Sequence, residues 1–260
     1  MNERVIGYNH VLWRWTEITG VRVYLHLGFL LPQWRGHGIG STMLRWAQQR
    51  IQTIAAEEQA DAHATFATNV SSTEQEADAL IRAAGYAAVR RLSDMILTPI
   101  PLDLRHELPA DVVVIPVEAA HYRAIYQAMK DAYCEIWTST PESEDDYQDF
   151  LAENVNTPTF DPALWQVAWA GQEVAGVVIG RIAGEVGHIA EVEVRRAWQR
   201  RRIGRGLLQR SLASFRERGI TEVRLYTDAD NGQGARSLYE SCGFREVKQH
   251  IFYRKLLSDT

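Results

Sequence analysis

The sequence predicts an α/β (α+β) protein built from two copies of one fold, the first of them shortened at its start. Three observations predict it. Strand-like and helix-like hydrophobic patterns alternate along the chain. A glycine-rich turn, 32–44 (PQWRGHGIGSTML), joins an apolar run, 24–31, to a helix-patterned stretch, 41–55. A turn of the same kind returns at 195–208 (RRAWQRRRIGRGLL).

Taken in order, 5–15 is rich in β-branched and aromatic residues and reads as a strand. A turn near Thr19 and Gly20 returns it as a second strand, 21–31, so the two form a hairpin. After the glycine turn, Ile39, Met43, Ala47, Ile51 and Ile54 form an apolar stripe at helical spacing. Residues 63–68 read as a strand. Ser71 and Glu74 have capping-box spacing and open a second helix that stops at Gly85. A strand, 87–97, ends the first copy. Pro99, Pro101 and Pro109 make 99–111 a linker between domains at 1–98 and 112–260.

The pattern then restarts. Residues 112–117 read as a strand, 121–137 and 144–153 as helices, and 164–170 with 173–183 as a hairpin about Gly171. A strand, 188–194, runs into the second turn, and a helix follows to about residue 218. Strand 222–228, helix 234–241 and strand 245–257 complete the copy. Trp34, Ile39, Gly40 and Leu44 match Trp198, Ile203, Gly204 and Leu208, and Leu80, Gly85 and Tyr86 match Leu238, Gly243 and Phe244. The second copy carries a strand, two helices and another strand ahead of its hairpin; the first has no room for them.

At 260 residues and 46% hydrophobic, the chain has material for two modest cores. Its net charge of −5 argues against a general nucleic-acid or anionic-membrane binder. Cys134 and Cys242 have no metal-ligand or catalytic spacing, and neither a signal-peptide pattern nor a membrane-length apolar run is present. A cytoplasmic protein with no metal is the expectation. In so acidic a chain, the arginines around residue 200 read as a local phosphate site rather than a nucleic-acid surface.

With both turns in view, the pattern resembles the GNAT superfamily of acetyl-CoA-dependent N-acetyltransferases, in the tandem arrangement of mycothiol synthase and its relatives. The resemblance implies two GNAT-like domains, each a mixed, mostly antiparallel central sheet flanked by helices. The family signature, Arg/Gln-x-x-Gly-x-Gly/Ala, holds the pyrophosphate of coenzyme A on backbone N–H groups. In the first copy Arg35, Gly38 and Gly40 match it fully, with Gly36 and His37 between them. In the second, Gln199, Arg202 and Gly204 match, with Arg200, Arg201, Ile203, Arg205 and Gly206 in or beside the turn. Arg202 departs from the family glycine, and a backbone anion site survives there provided its φ stays negative. A shifted reading, Arg201, Gly204 and Gly206, breaks the alignment between copies.

The resemblance also marks TDADNGQGARSLYESCGF, where Asn231 and Tyr239 would line the thiol end of coenzyme A. Amine attack on a thioester expels a thiolate that a phenol can protonate. Ile81 aligns with Tyr239 in the first copy, so that copy would bind coenzyme A without catalysing. Family members use a strand glutamate as base. Glu191, the preferred candidate, and Glu193 alternate with Val192 and Val194, whose backbone would receive the acetyl carbonyl. The acceptor is an amine of a small molecule or protein; the acidic, aromatic stretch 133–147 suits a cation and equally suits solubility. A homodimer stays open. The competing reading is a non-catalytic acyl-CoA sensor built from paired GNAT-like domains.

Overall fold

The computed structural model describes residues 4–15, 21–61, 63–105, 107–133, 143–230 and 234–259. The chain divides into two compact units. One comprises Met1–Ser93 with Asp228–Asp230 and Lys248–Thr260; the other comprises Asp94–Thr227 and Asn231–Val247.

In the first unit, β1 (Gly7–Trp15) and β2 (Arg22–Leu30) form an antiparallel hairpin with no register shift. Helix α1 (Ile39–Glu57) follows, then β3 (Thr65–Ser71), α2 (Gln75–Ala83) and β4 (Ala87–Leu97). The unit's core is one cluster that includes Tyr24, Ile51, Phe66 and Ile81, closed by Ile251 and Tyr253 from the far end of the chain. Those last residues lie on β10 (Arg245–Leu256), whose 250–256 pair antiparallel with β3. The capping box expected at Ser71 is only half formed. Ser71 stays in β3, and α2 starts at Gln75 with Glu74 as its cap residue. Glu74 Oε2 still accepts the Ser71 N–H at 3.0 Å, which ends the strand rather than opening the helix at Ser71.

The second unit takes in residues 94–97 of β4 and the proline-rich segment, whose Ile100, Leu104 and Leu108 join its core. Short β5 (Val113–Val114) precedes α3 (Tyr122–Tyr133) and α4 (Glu144–Asn154). Then come β6 (Trp165–Ala170), β7 (Glu173–Ala183), β8 (Val186–Val194), α5 (Ile203–Glu217), β9 (Glu222–Asp228) and α6 (Ala235–Ser241). Strands β5, β6, β7 and β8 pair antiparallel in sequence, and β8 pairs parallel with β9. One face of this sheet packs on α5 through Leu207, Leu208, Leu212 and Phe215; the other packs on α3 and α4 through Ile125, Tyr126 and Phe150. The first unit lacks that second layer among its described residues: Tyr8 stacks on Phe29 at 4.9 Å, and both rings stay exposed.

The acidic start of α4 is engaged in structure. Ser143 and Asp146 form a reciprocal capping box, Glu144 pairs with Arg123 at 2.7 Å, and Asp146 pairs with Lys130 at 3.3 Å. No helix among the described residues is long and apolar enough to cross a membrane.

Gly180 shows how tightly α5 lies on this sheet, because a Cβ there would meet Leu164 O at 2.8 Å and the Phe215 ring at 3.0 Å. Gly180→Ala should therefore cost about 1–3 kcal/mol through overpacking, read as a lowered urea midpoint at unchanged m-value.

Candidate active site

Both units bring a strand into a left-handed turn at the head of a helix, and the two turns agree residue by residue. Leu31 and Arg195 have φ/ψ of −57/139° and −57/143°. A short 3-10 turn follows each, Pro32–Trp34 and Arg196–Trp198. Arg35 and Gln199 then extend at −73/160° and −65/161°. The side chains of these two residues reach back to the end of the preceding strand, Arg35 Nε to Leu30 O at 3.4 Å and Gln199 Nε2 to Val194 O at 3.1 Å. The signature's first residue is thus a strap that pins the turn to the strand.

Next come two left-handed residues. In the first unit they are Gly36 and Gly38, both at φ 76°; in the second they are Arg200 at 59° and Arg202 at 64°. The condition that Arg202 keep a negative φ fails, yet its backbone follows that of Gly38. Arginine is held where glycine is at ease, at about 1 kcal/mol or more of strain each. Helices α1 and α5 start immediately afterwards with no side-chain cap and no acidic residue in the first turn. Their first N–H groups have no intrahelical acceptor and lie at the positive end of the dipole, an arrangement that suits phosphate.

The structure sorts the remaining turn residues. Arg201 Nη2 donates to both oxygens of Asp111 at 2.7 and 2.9 Å, and its guanidinium lies over Trp198, so its charge is already spent. Arg200 and Arg202 are exposed and have no ion-pair partner among the described residues. Arg205 reaches Ser241 O at 3.5 Å. His37 Nδ1 lies 2.7 Å from Arg35 O. Ile203 is core. A Cβ at Gly40 would lie 3.4 Å from Leu80, and one at Gly204 would lie 3.4 Å from Val194 and 3.5 Å from Leu238, ordinary van der Waals contacts. Gly206 is not part of the cradle: a Cβ there would meet Glu107 O at 2.6 Å, so it admits the segment that crosses α5. This disfavours the shifted reading through Arg201 and Gly206.

Beside each turn the parallel strands part. Pairing of β8 with β9 runs only from Val186 to Ile189, although β8 continues to Val194. Pairing of β2 with β3 runs only from Val23 to Leu25, although β2 continues to Leu30. Every second N–H and C=O on the freed edge then opens into a cleft.

Between Ile189 and Glu191 the β7–β8 register slips by one residue, a bulge at Ala190 that sequence alternation alone does not reveal. The slip turns Ile189, Val192 and Val194 toward the α5 core. Glu191 and Glu193 lie opposite Ile179 and Val177, on the α3–α4 side. Both carboxyls are half-buried and neither makes a hydrogen bond or ion pair with a described residue. Loss of water pushes Glu191 up to about 7, against the pull of Arg181. Burial and the neighbouring Glu191 push Glu193 up to about 8. Arg181 is itself held by Asn154 Oδ1 at 2.7 Å and Glu153 O at 3.2 Å. Tyr239 is buried on α6, and its phenol is raised above its ordinary value by burial first and then by the charges of Glu193 and Glu191. Asn231 lies outside the described residues.

Counted back from the paired tryptophans, Leu27 and Phe29 stand in the first unit where Glu191 and Glu193 stand in the second, and Ile81 stands for Tyr239. That unit nevertheless holds a cavity of about 740 Å³, bordered by Gly36 and Gly38, the freed end of β2, and Asn69 and Val70 of β3.

Comparison with known proteins agrees with this geometry. Residues 122–244 match the acetyltransferase (GNAT) family. The chain is 26% identical over 234 residues to a mycothiol acetyltransferase of Streptomyces scabiei, covering 86% of this chain and 68% of that protein. It is 30% identical over 189 residues to a mycothiol acetyltransferase of Thermobispora bispora, covering 66% and 60%. Among solved structures, a GCN5-related N-acetyltransferase from Sphaerobacter thermophilus superposes with a TM-score of 0.78 at 26% identity, over 97% of this chain and 77% of that one. A tandem GNAT protein from the clavulanic acid biosynthesis pathway shares the fold, with a TM-score of 0.70 at 13% identity over 99% and 81%.

Replacing Arg202 by glycine removes a residue held at φ 64°. Arg202→Gly should therefore raise stability by about 1 kcal/mol in denaturant titration.

Proposed function

With residues 122–244 a GNAT-family acetyltransferase domain, we propose that the protein is an N-acetyltransferase whose chemistry belongs to the second unit. The observation that carries this reading is the half-buried pair Glu191 and Glu193 on the stretch of β8 that has left β9, near enough to the buried Tyr239 for their charges to act on its phenol. The donor is acetyl-CoA. Its pyrophosphate suits the uncapped head of α5, with Arg200 and Arg202 as free cations. Its pantetheine amides suit the open edge of β8 around Val192 and Val194.

The acceptor amine arrives as an ammonium on the α3–α4 side, where both glutamates face. A carboxylate that removes its proton near neutral pH needs a pKa close to 7, and burial gives Glu191 that value. Glu193, raised by burial and by the neighbouring Glu191, is the second candidate. The freed nitrogen attacks the thioester carbon, the C–S bond breaks, and the sulfur takes a proton from Tyr239; the second nitrogen proton is lost through solvent, which returns a proton to the Tyr239 phenolate, and the amide remains. A phenol with a raised pKa keeps its proton until the thiolate forms.

The first unit, with Leu27, Phe29 and Ile81 in place of base and acid, binds coenzyme A through Arg35, Gly36, His37, Gly38 and Gly40 without turnover. Its cavity favours retaining a sensor role for that unit beside the enzyme.

Glu191→Gln should lower kcat/KM by about 10²–10⁴ at saturating pH, measured by thiol release with a panel of primary amines. In the parent protein kcat/KM should rise as pH climbs through about 7, because ionisation of Glu191 creates the base, and this limb should vanish in the variant. Tyr239→Phe should abolish most turnover and retain coenzyme A binding. Saturable binding with no transfer to any amine would instead favour the sensor for the whole chain.

A further inference from the structure

The first unit buries a polar pair that its fold does not require. His26 and Tyr86 are each only 4% exposed, and His26 Nε2 lies 2.8 Å from the Tyr86 hydroxyl. In the second unit Phe244 matches Tyr86 and the bulged Ala190 falls where His26 stands, so no polar pair occupies these positions. A buried polar pair in place of an apolar one gains little stability, since each group must first give up water.

Hydrogen-bond satisfaction fixes the direction of this pair. Gln48 Nε2 donates to the Tyr86 oxygen at 3.3 Å. The Tyr86 O–H has one acceptor among the described residues, His26 Nε2, and a buried hydroxyl proton is rarely left unused. His26 therefore carries its own proton on Nδ1, the opposite side of the ring. No described residue accepts from Nδ1, and His26 borders the cavity of about 740 Å³. Burial lowers the imidazole to about 4, so this donor persists, neutral, through the physiological range.

Its place along the strand says what it would meet. In the second unit the bulge at Ala190 redirects the backbone of β8 beside the reacting glutamates. Strand β2 has no bulge, and His26 occupies the same stretch of strand. At that stretch the first unit places His26 at the border of its cavity.

We propose that His26 is the recognition residue of a second, non-transferring thioester site, donating Nδ1–H to the carbonyl oxygen of an acyl-CoA held in the first unit's cavity. This rests on the reading that the first unit binds coenzyme A at its glycine turn. Leu27 and Phe29 offer no base, so the bound thioester is retained, and discrimination falls on the carbonyl that His26 contacts.

The test titrates the full chain, without acceptor, with acetyl-CoA and with S-ethyl-CoA, a thioether that lacks the carbonyl oxygen. The parent protein should bind two equivalents of acetyl-CoA. His26→Gln keeps an acceptor near Nε2 for the Tyr86 hydroxyl and loses the donor at Nδ1; His26→Asn keeps a donor near Nδ1 and loses the acceptor at Nε2. In His26→Gln one equivalent should lose about tenfold in acetyl-CoA affinity and none for S-ethyl-CoA, the size of one buried hydrogen bond. His26→Asn should restore the preference for acetyl-CoA, and transfer activity should be unchanged in both. A purely structural role predicts the opposite order, with Gln tolerated and Asn impaired, and that order would overturn the proposal while leaving the site. A single equivalent in the parent protein would overturn the first unit's coenzyme A site and the proposal with it.

Discussion

The active-site geometry depends on one constraint, the parting of two parallel strands. While β8 runs beside β9 its backbone groups are satisfied, and nothing can enter. Beyond Ile189 they are not, and a buried strand edge must find partners. The bulge at Ala190, the left-handed turn beyond Val194 and the uncapped head of α5 all lie downstream of that parting. Together they leave a row of unspent N–H groups running from the glutamates to the turn, a shape suited to a long ligand with amides along its length and phosphate at one end.

The two left-handed turns show how much sequence the same backbone tolerates. Glycine at 36 and 38 takes the conformation without strain, and arginine at 200 and 202 takes it at a cost. The surroundings over-determine it: Gln199 straps the turn to Val194, and Arg201 is anchored on Asp111. Arg200 and Arg202 remain exposed, with no ion-pair partner among the described residues. Strain that the fold does not need is most simply read as positioning of charge.

The two units divide their resources unequally. The second has a helical layer over the face where Glu191 and Glu193 project, which strips them of water and raises both carboxyls toward neutrality. The first leaves that face to Tyr8 and Phe29, without a titratable group in the equivalent positions. It keeps the turn, the cleft and a buried His26–Tyr86 pair in its place.

By itself the sequence determined the duplication, the element order and both turns, because glycine spacing, hydrophobic period and repeated tryptophans are local signals. The resemblance to the GNAT family, rather than any local pattern, singled out Glu191, Glu193 and Tyr239 as candidates. Only tertiary structure decided the rest. The bulge at Ala190 depends on what β7 offers opposite, and the charges of Arg200, Arg201 and Arg202 look alike until Asp111 claims one of them. That the strand ending at Leu256 serves the first unit's core is a pairing between distant segments, and no local pattern encodes it. The same holds for His26, an ordinary strand residue in sequence. Its setting comes from Tyr86, sixty residues away, which engages one ring nitrogen beside a cavity that His26 also borders.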